Sequence, residues 1–95
     1  MAEADQEFDG LLRALANPHR RLIVQECWSA ARSAGEIADL LDLAPASASE
    51  HLKVLRKHGL VDLTINGTFR IYQTRRQTVL RLRGLFEAVF PMEEP

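Results

Sequence analysis

The sequence predicts a mainly α-helical domain with one small β-hairpin, in the order α-α-α-α-β-β-α. Three observations carry that expectation: apolar residues recur at helical spacing, start and stop residues bracket those stretches, and two alternating runs flank Asn66-Gly67. Phe8, Leu11, Leu12 and Leu15 form the first stripe, at i, i+3, i+4 and i+7. Asn17-Pro18 supplies a cap residue and a proline suited to a first turn, opening a second helix to about residue 31. Leu22, Ile23 and Cys27 are its expected buried positions, with Trp28 at their margin. Ser33-Ala-Gly-Glu36 fits a capping box and opens a short third helix with Ile37, Leu40 and Leu41 inward, broken by Asp42 to Pro45.

A fourth helix is expected from Pro45 to about His58, with Ala48, Leu52 and Leu55 buried. Ala44 offers it no side-chain cap, and Gly59 ends it where a left-handed backbone suits glycine. Val61, Leu63 and Ile65 then alternate with Asp62 and Thr64, and a second run spans Thr68 to Gln73. Asn66-Gly67 between them is expected to supply both turn positions, each with positive φ. Thr74-Arg-Arg-Gln77 fits another capping box and opens a last helix to about Phe90, which Pro91 follows.

Ninety-five residues suit a single domain over 1–95, with loose ends expected at 1–7 and 91–95. Apolar residues at 46% and charged residues at 26% exclude a wholly disordered chain. One cysteine excludes an internal disulfide and any zinc site built on paired cysteines. The acidic start does not look like a signal peptide, and no apolar run approaches the ~20 residues of a membrane helix, so a cytoplasmic protein without a membrane partner is expected. The net charge of −1 hides an asymmetry. Residues 43–83 hold eight bases against two acids, Glu50 and Asp62, a net of +6 that suits a polyanion.

Two short helices joined by a tight turn and followed at once by a hairpin describe a winged helix-turn-helix. The exposed side of its second helix would carry Ser47, Glu50, His51, Lys53 and Lys57, with Ser49 near the margin. Such a helix suits a major groove, its early residues meeting base edges and its later bases phosphates. The hairpin tip would hold Asn66, Gly67, Thr68 and Arg70.

The stretch from Leu12 to Ile23, containing Ala-Asn-Pro-His-Arg-Arg, resembles the opening of the ArsR/SmtB repressors. Ala48 to Val61 is similar to their recognition helix and its exit, most specifically Ser49-x-His51-Leu52-x-x-Leu55-x-x-x-Gly59-Leu60-Val61. Asn66-Gly67 with Ile71-Tyr72 resembles their wing. The resemblance implies a homodimeric repressor reading an inverted repeat in double-stranded promoter DNA. It points to Ser47, Ser49 and His51 for base reading and to Arg70 on the wing. Lys53 and Arg56 suit phosphates, Thr68 lies at the tip, and Glu50 suits a cytosine amine because an acid repels phosphate.

Metal-sensing members carry Cys-x-Cys on the first helix of the motif, or acidic and histidine ligands on the last helix. Here the first place reads Ser33-Ala-Gly-Glu36, and the last helix lacks histidine and aspartate. The resemblance is therefore to the metal-independent branch, with no metal or other cofactor expected. His19, His51 and His58 share no close helical face, and Cys27 reads as a core residue. The last helix is too apolar for one face, so Leu82, Leu85, Phe86 and Val89, with Phe8, Leu11 and Leu12, are expected to form a dimer interface. No phosphate loop, carboxylate pair or activated nucleophile marks an enzyme. Two other readings are a winged-helix protein-interaction module without DNA, and a repressor with a small-molecule or redox inducer.

Overall fold

The computed structural model describes residues 2–93. Its elements are α1 (Ala2–Leu15), α2 (Pro18–Glu26), β1 (Arg32–Ser33), α3 (Ala34–Leu41), α4 (Pro45–Lys57), β2 (Val61–Asn66), β3 (Phe69–Thr74) and α5 (Arg76–Val89). The three strands form one antiparallel sheet in the order β1-β3-β2. Ile23, Cys27, Ile37, Leu52, Leu55, Leu60 and Val61 are its most deeply buried large residues. Each such aliphatic side chain contributes roughly 1.5–3 kcal/mol by leaving water. Phe8 and Leu11 of α1, Tyr72 of β3 and Leu82 and Leu85 of α5 close the same cluster.

The local chemistry of the helix ends holds at three expected places. The Asn17 side chain accepts from the His19 and Arg20 amides. Ser33 and Glu36 close a reciprocal capping box, Oγ accepting from the Glu36 amide and Oε1 from the Ser33 amide. Gly59 takes φ +70° after α4, and the Gly59 and Leu60 amides donate back to the Arg56 and Leu55 carbonyls. That pair of bonds is a Schellman ending, which delivers the chain straight from α4 into β2.

Four expectations are corrected. The second helix stops at Glu26 rather than near residue 31, and Arg32–Ser33 is a strand instead. Pairing of Arg32 with Tyr72 and Ser33 with Ile71, together with the Arg32 guanidinium donating to the Glu26 carbonyl at 2.8 Å, uses backbone groups that a longer helix would have used itself. Thr74 caps nothing: it ends β3, Arg75 is the N-cap of α5, and no side chain caps that helix. The hairpin loop is Gly67-Thr68 rather than Asn66-Gly67, because Asn66 pairs with Phe69. Only Gly67 there has positive φ, +63°, the pattern of a turn with glycine first. Leu22 and Leu40, expected inward, are exposed, as is Ile65 at the far end of β2.

Thr74 is a tether. The Trp28 amide turns to the Gln25 carbonyl as α2 ends, and the Val24 carbonyl accepts from the buried Thr74 hydroxyl at 2.7 Å. The Thr74 amide donates to the Cys27 carbonyl at 3.0 Å. Thr74→Val keeps the shape and strips one partner from a buried carbonyl, so it should cost about 1–3 kcal/mol of stability. Urea unfolding checks this; an unchanged midpoint would show that the tether carries no weight.

Candidate nucleic-acid interface

α4 buries Ala48, Leu52 and Leu55 and turns the opposite side to solvent. The helical repeat sets Ser49, Lys53 and Arg56 along one edge of that side, at i, i+4 and i+7. β3 approaches this edge, so that Ser49, Leu52, Lys53, Arg56, Lys57, Arg70 and Tyr72 line a groove of about 550 Å³. Four of the seven are cations and none is an acid. The two ion pairs among the described residues lie elsewhere, Arg75 with Asp62 and Arg81 with Glu7. Both are solvent-exposed and add little to stability. They cancel two bases of the positive segment and leave the groove cations with no carboxylate partner.

The expected DNA residues divide into three groups. Ser49, Lys53, Arg56 and Arg70 meet at the groove. Ser47 and Glu50 are exposed on α4, and His51 is half-buried toward α2. Thr68 lies in the exposed turn at the hairpin tip. Arg56 is exposed and free to reach a phosphate. Lys57 was expected on the exposed side of this helix but given no particular contact, and Tyr72 was not expected at the site. Tyr72 reaches the groove only through its pairing with Leu63 across the hairpin, a tertiary fact.

The histidines are closer than their spacing suggests. The His19 and His51 rings sit 5.6 Å apart, brought together by the packing of α2 on α4. The Arg20 guanidinium donates to the Ala14 and Arg13 carbonyls at 2.6 and 3.2 Å and lies 3.5 Å from His51 Nδ1. A guanidinium only donates, so this contact favours a bare Nδ1 and a proton on Nε2. Burial, then Arg20 and His19, hold His51 below the usual histidine range. His58 packs on Gly10 of α1, where a built Cβ would meet the ring at 3.0 Å, and this close approach accounts for a glycine inside a helix. Burial, then Lys57, Arg13 and Arg20, likewise push His58 down.

Among the described residues, no three histidine, cysteine, aspartate or glutamate side chains gather as a metal site would require. Ser33 and Glu36 are engaged with each other's backbone in the capping box. Cys27 is fully buried, and burial pushes its thiol up to about 11, against the counter-effect of Arg32. At neutral pH it therefore stays protonated and weakly nucleophilic.

Of the seven residues expected at a dimer interface, Phe8, Leu11, Leu82 and Leu85 are buried within the chain's own core. The surplus apolar surface instead comprises Leu12, Phe86 and Val89, with Phe90 beside them in the sequence. Phe8 meets Phe86 edge-on at 5.0 Å and Phe90 at 6.3 Å, so α1 and α5 share one aromatic cluster that is half inside and half outside.

Helices packed around a recognition helix, with a hairpin docked at its exit, define a winged helix-turn-helix DNA-binding domain. Residues 15–64 match the helix-turn-helix domain family. The chain is 31% identical over 90 residues to the HTH-type transcriptional regulator YgaV of Escherichia coli (strain K12), covering 94% of this chain and 90% of that one. It is 28% identical over 81 residues to nodulation protein NolR of Rhizobium meliloti, covering 85% of this chain and 66% of that protein, just under two thirds of its length. Among solved structures it is similar to the homodimeric winged helix-turn-helix DNA-binding domain Mb0332 of Mycobacterium bovis, a possible ArsR-family transcriptional regulator. There the TM-score is 0.78 and the identity 28%, over 97% of this chain and 87% of that one. The chain belongs to the helix-turn-helix family of transcriptional regulators, in its winged, ArsR-like form.

The lowered histidines fix the sign of a pH effect. A folded pKa below the unfolded one means that the unfolded chain binds protons more readily, so this stability is complete above about pH 6.5 and is lost as pH falls. The urea midpoint should drop between about pH 7.5 and about pH 5.5, and drop less in His58→Gln. A midpoint flat across that window would contradict the assignment.

Proposed function

We propose that the chain acts as a homodimeric repressor that reads an inverted-repeat operator without a metal cofactor. The observation that carries this reading is the acid-free groove between α4 and β3, with Lys53, Arg56, Lys57 and Arg70 on its walls. When a helix lies in the major groove and a wing reaches the next minor groove, a phosphate strand passes between them. Four cations facing one cleft suit that strand, and phosphate contacts set the position of the protein on the duplex. Ser47, Ser49 and His51 then read base edges, His51 as a neutral donor through Nε2–H. Glu50 accepts from a cytosine amine.

The dimer reading rests on Leu12, Phe86, Val89 and Phe90, apolar side chains exposed around α1 and α5. A two-fold pair would set the half-site centres about one helical turn apart, ~10 bp. Reading without a metal is supported by the capping box at Ser33 and Glu36, which uses the place where metal-sensing relatives would carry ligands. The groove lining, four cations with Ser49, Leu52 and Tyr72, suits a protein that binds a polyanion.

Selection from a random duplex library, followed by affinity across a salt series, tests the reading. Arg70→Ala should weaken binding to all sequences alike and lower the salt slope by about one unit per lost phosphate contact. Ser49→Ala should relax preference at particular positions, by ~1–3 kcal/mol for a good contact. Salt-independent binding, or no duplex recovered, would contradict it.

Phe86→Asp tests the dimer by placing a charge in the interface. Sedimentation should show the wild type at about twice the chain mass, and the variant shifted toward one chain with weaker DNA binding. A monomeric wild type with full operator affinity would remove the dimer from the account.

A further inference from the structure

Ile65 and Phe69 are 64% and 62% exposed and lie in the last two residue pairs before the two-residue loop at the hairpin tip. Neither joins the hydrophobic core, and the outer end of the hairpin gains no burial from them. The register places them on opposite faces: Ile65 pairs with Arg70, and Asn66 pairs with Phe69, so side-chain alternation gives the tip an apolar residue on each side. Gly67, with φ +63° and open space around it, and Thr68 keep the leading edge slim.

The charge around this tip selects its partner. From Leu63 to Thr74 the chain contains no acid, and its one base, Arg70, sits across from Ile65 and also lines the cationic groove beside α4. Ile65 therefore shares its face of the hairpin with Arg70 and the cationic groove, while Phe69 occupies the other face of the same slim tip. A hydrophobic tip meant for a protein partner needs no such cation at its base.

We propose that the hairpin tip is an apolar wedge for the minor groove of the operator, with Phe69 inserting against a base step and Arg70 holding the flanking phosphate. This rests on the DNA reading above. Apolar side chains that enter the minor groove partly unstack a step and kink the duplex toward the major groove, by roughly 20–90°. Flexible pyrimidine–purine steps yield most readily, so the wedge would add sequence preference where no base edge is read. Phe69 then acts as a specificity-determining residue through DNA shape, and Ile65, on the other face of the tip, meets the opposite wall of the groove.

The test uses the full chain and the duplex that wild-type protein selects from a random library. End-attached fluorophores report the bend, and 2-aminopurine, scanned across the half-site flanks, reports unstacking. Wild type should shorten the end-to-end distance and brighten one position in each half-site. Phe69→Ala should abolish both signals while keeping the salt slope, and Phe69→Leu should retain them. A bound duplex that stays straight and dark, or signals unchanged in Phe69→Ala, overturns the wedge and leaves the DNA reading standing. Loss of dimer mass in Phe69→Ala during sedimentation overturns it too, assigning the tip to a second copy. If selection recovers no duplex, the DNA reading fails and the wedge with it.

Discussion

The rigid join between the exit of α4 and the root of the hairpin governs the rest of this structure. Gly59 turns the chain with positive φ, Leu60 and Val61 bury at once, and the hydrogen bonds around them tie three elements together. The Thr78 hydroxyl donates to the Gly59 carbonyl at 2.6 Å, and the Arg75 amide donates to the Leu60 carbonyl at 2.9 Å. Thr74 fastens the other strand root to the Val24 and Cys27 carbonyls at the end of α2. With both roots fixed, the angle between recognition helix and wing is set by these hydrogen bonds to backbone carbonyls and by the burial of Leu60 and Val61. A non-glycine residue at position 59 would face the left-handed penalty at the one place where the whole geometry turns.

From that join follows the cleft. Lys53, Arg56 and Lys57 repeat along one edge of α4, and the pairing of Tyr72 with Leu63 sets the register that leaves Arg70 opposite them. Among the described residues no ion pair joins these cations to a carboxylate: Asp62 and Glu7 pair with Arg75 and Arg81, and Glu50, on the same helix, does not line the groove. An assembly of like charges with no internal partner raises the local attraction for a polyanion, and its effect weakens as salt screens it. The near-neutral whole chain conceals this, since eleven of its thirteen acids lie outside residues 43–83.

Much of this was legible in the sequence, for local reasons. Asn17-Pro18, the Ser33–Glu36 box and Gly59 each encode a helix end within a few residues, and each stands in the structure as read. The exposed side of α4, with Ser47, Glu50, Lys53 and Lys57, followed from the helical repeat alone. What escaped depended on distant partners. β1 exists because β3 offers it a ladder, and no propensity in Ala31-Arg32-Ser33 announces it. Thr74 has the spacing of a cap, but instead of accepting from an amide its hydroxyl donates to the Val24 carbonyl fifty residues away. The meeting of His19 and His51 and the division of the apolar residues on α1 and α5 between core and surface are likewise products of packing. The hairpin turn slipped by one position because Asn-Gly signals a turn without fixing which residue comes first.

The central claim is that helix and wing together grip one phosphate strand in the cleft between them. Ethylation interference on the selected duplex tests it most directly, by reporting which phosphates the bound protein needs. The account predicts, in each half-site, a short run of essential phosphates between the major groove read by α4 and the adjoining minor groove, with that run lost in the Lys57→Ala, Arg70→Ala double variant. Unimpaired binding with those phosphates ethylated, or a run that persists in the double variant, would contradict it.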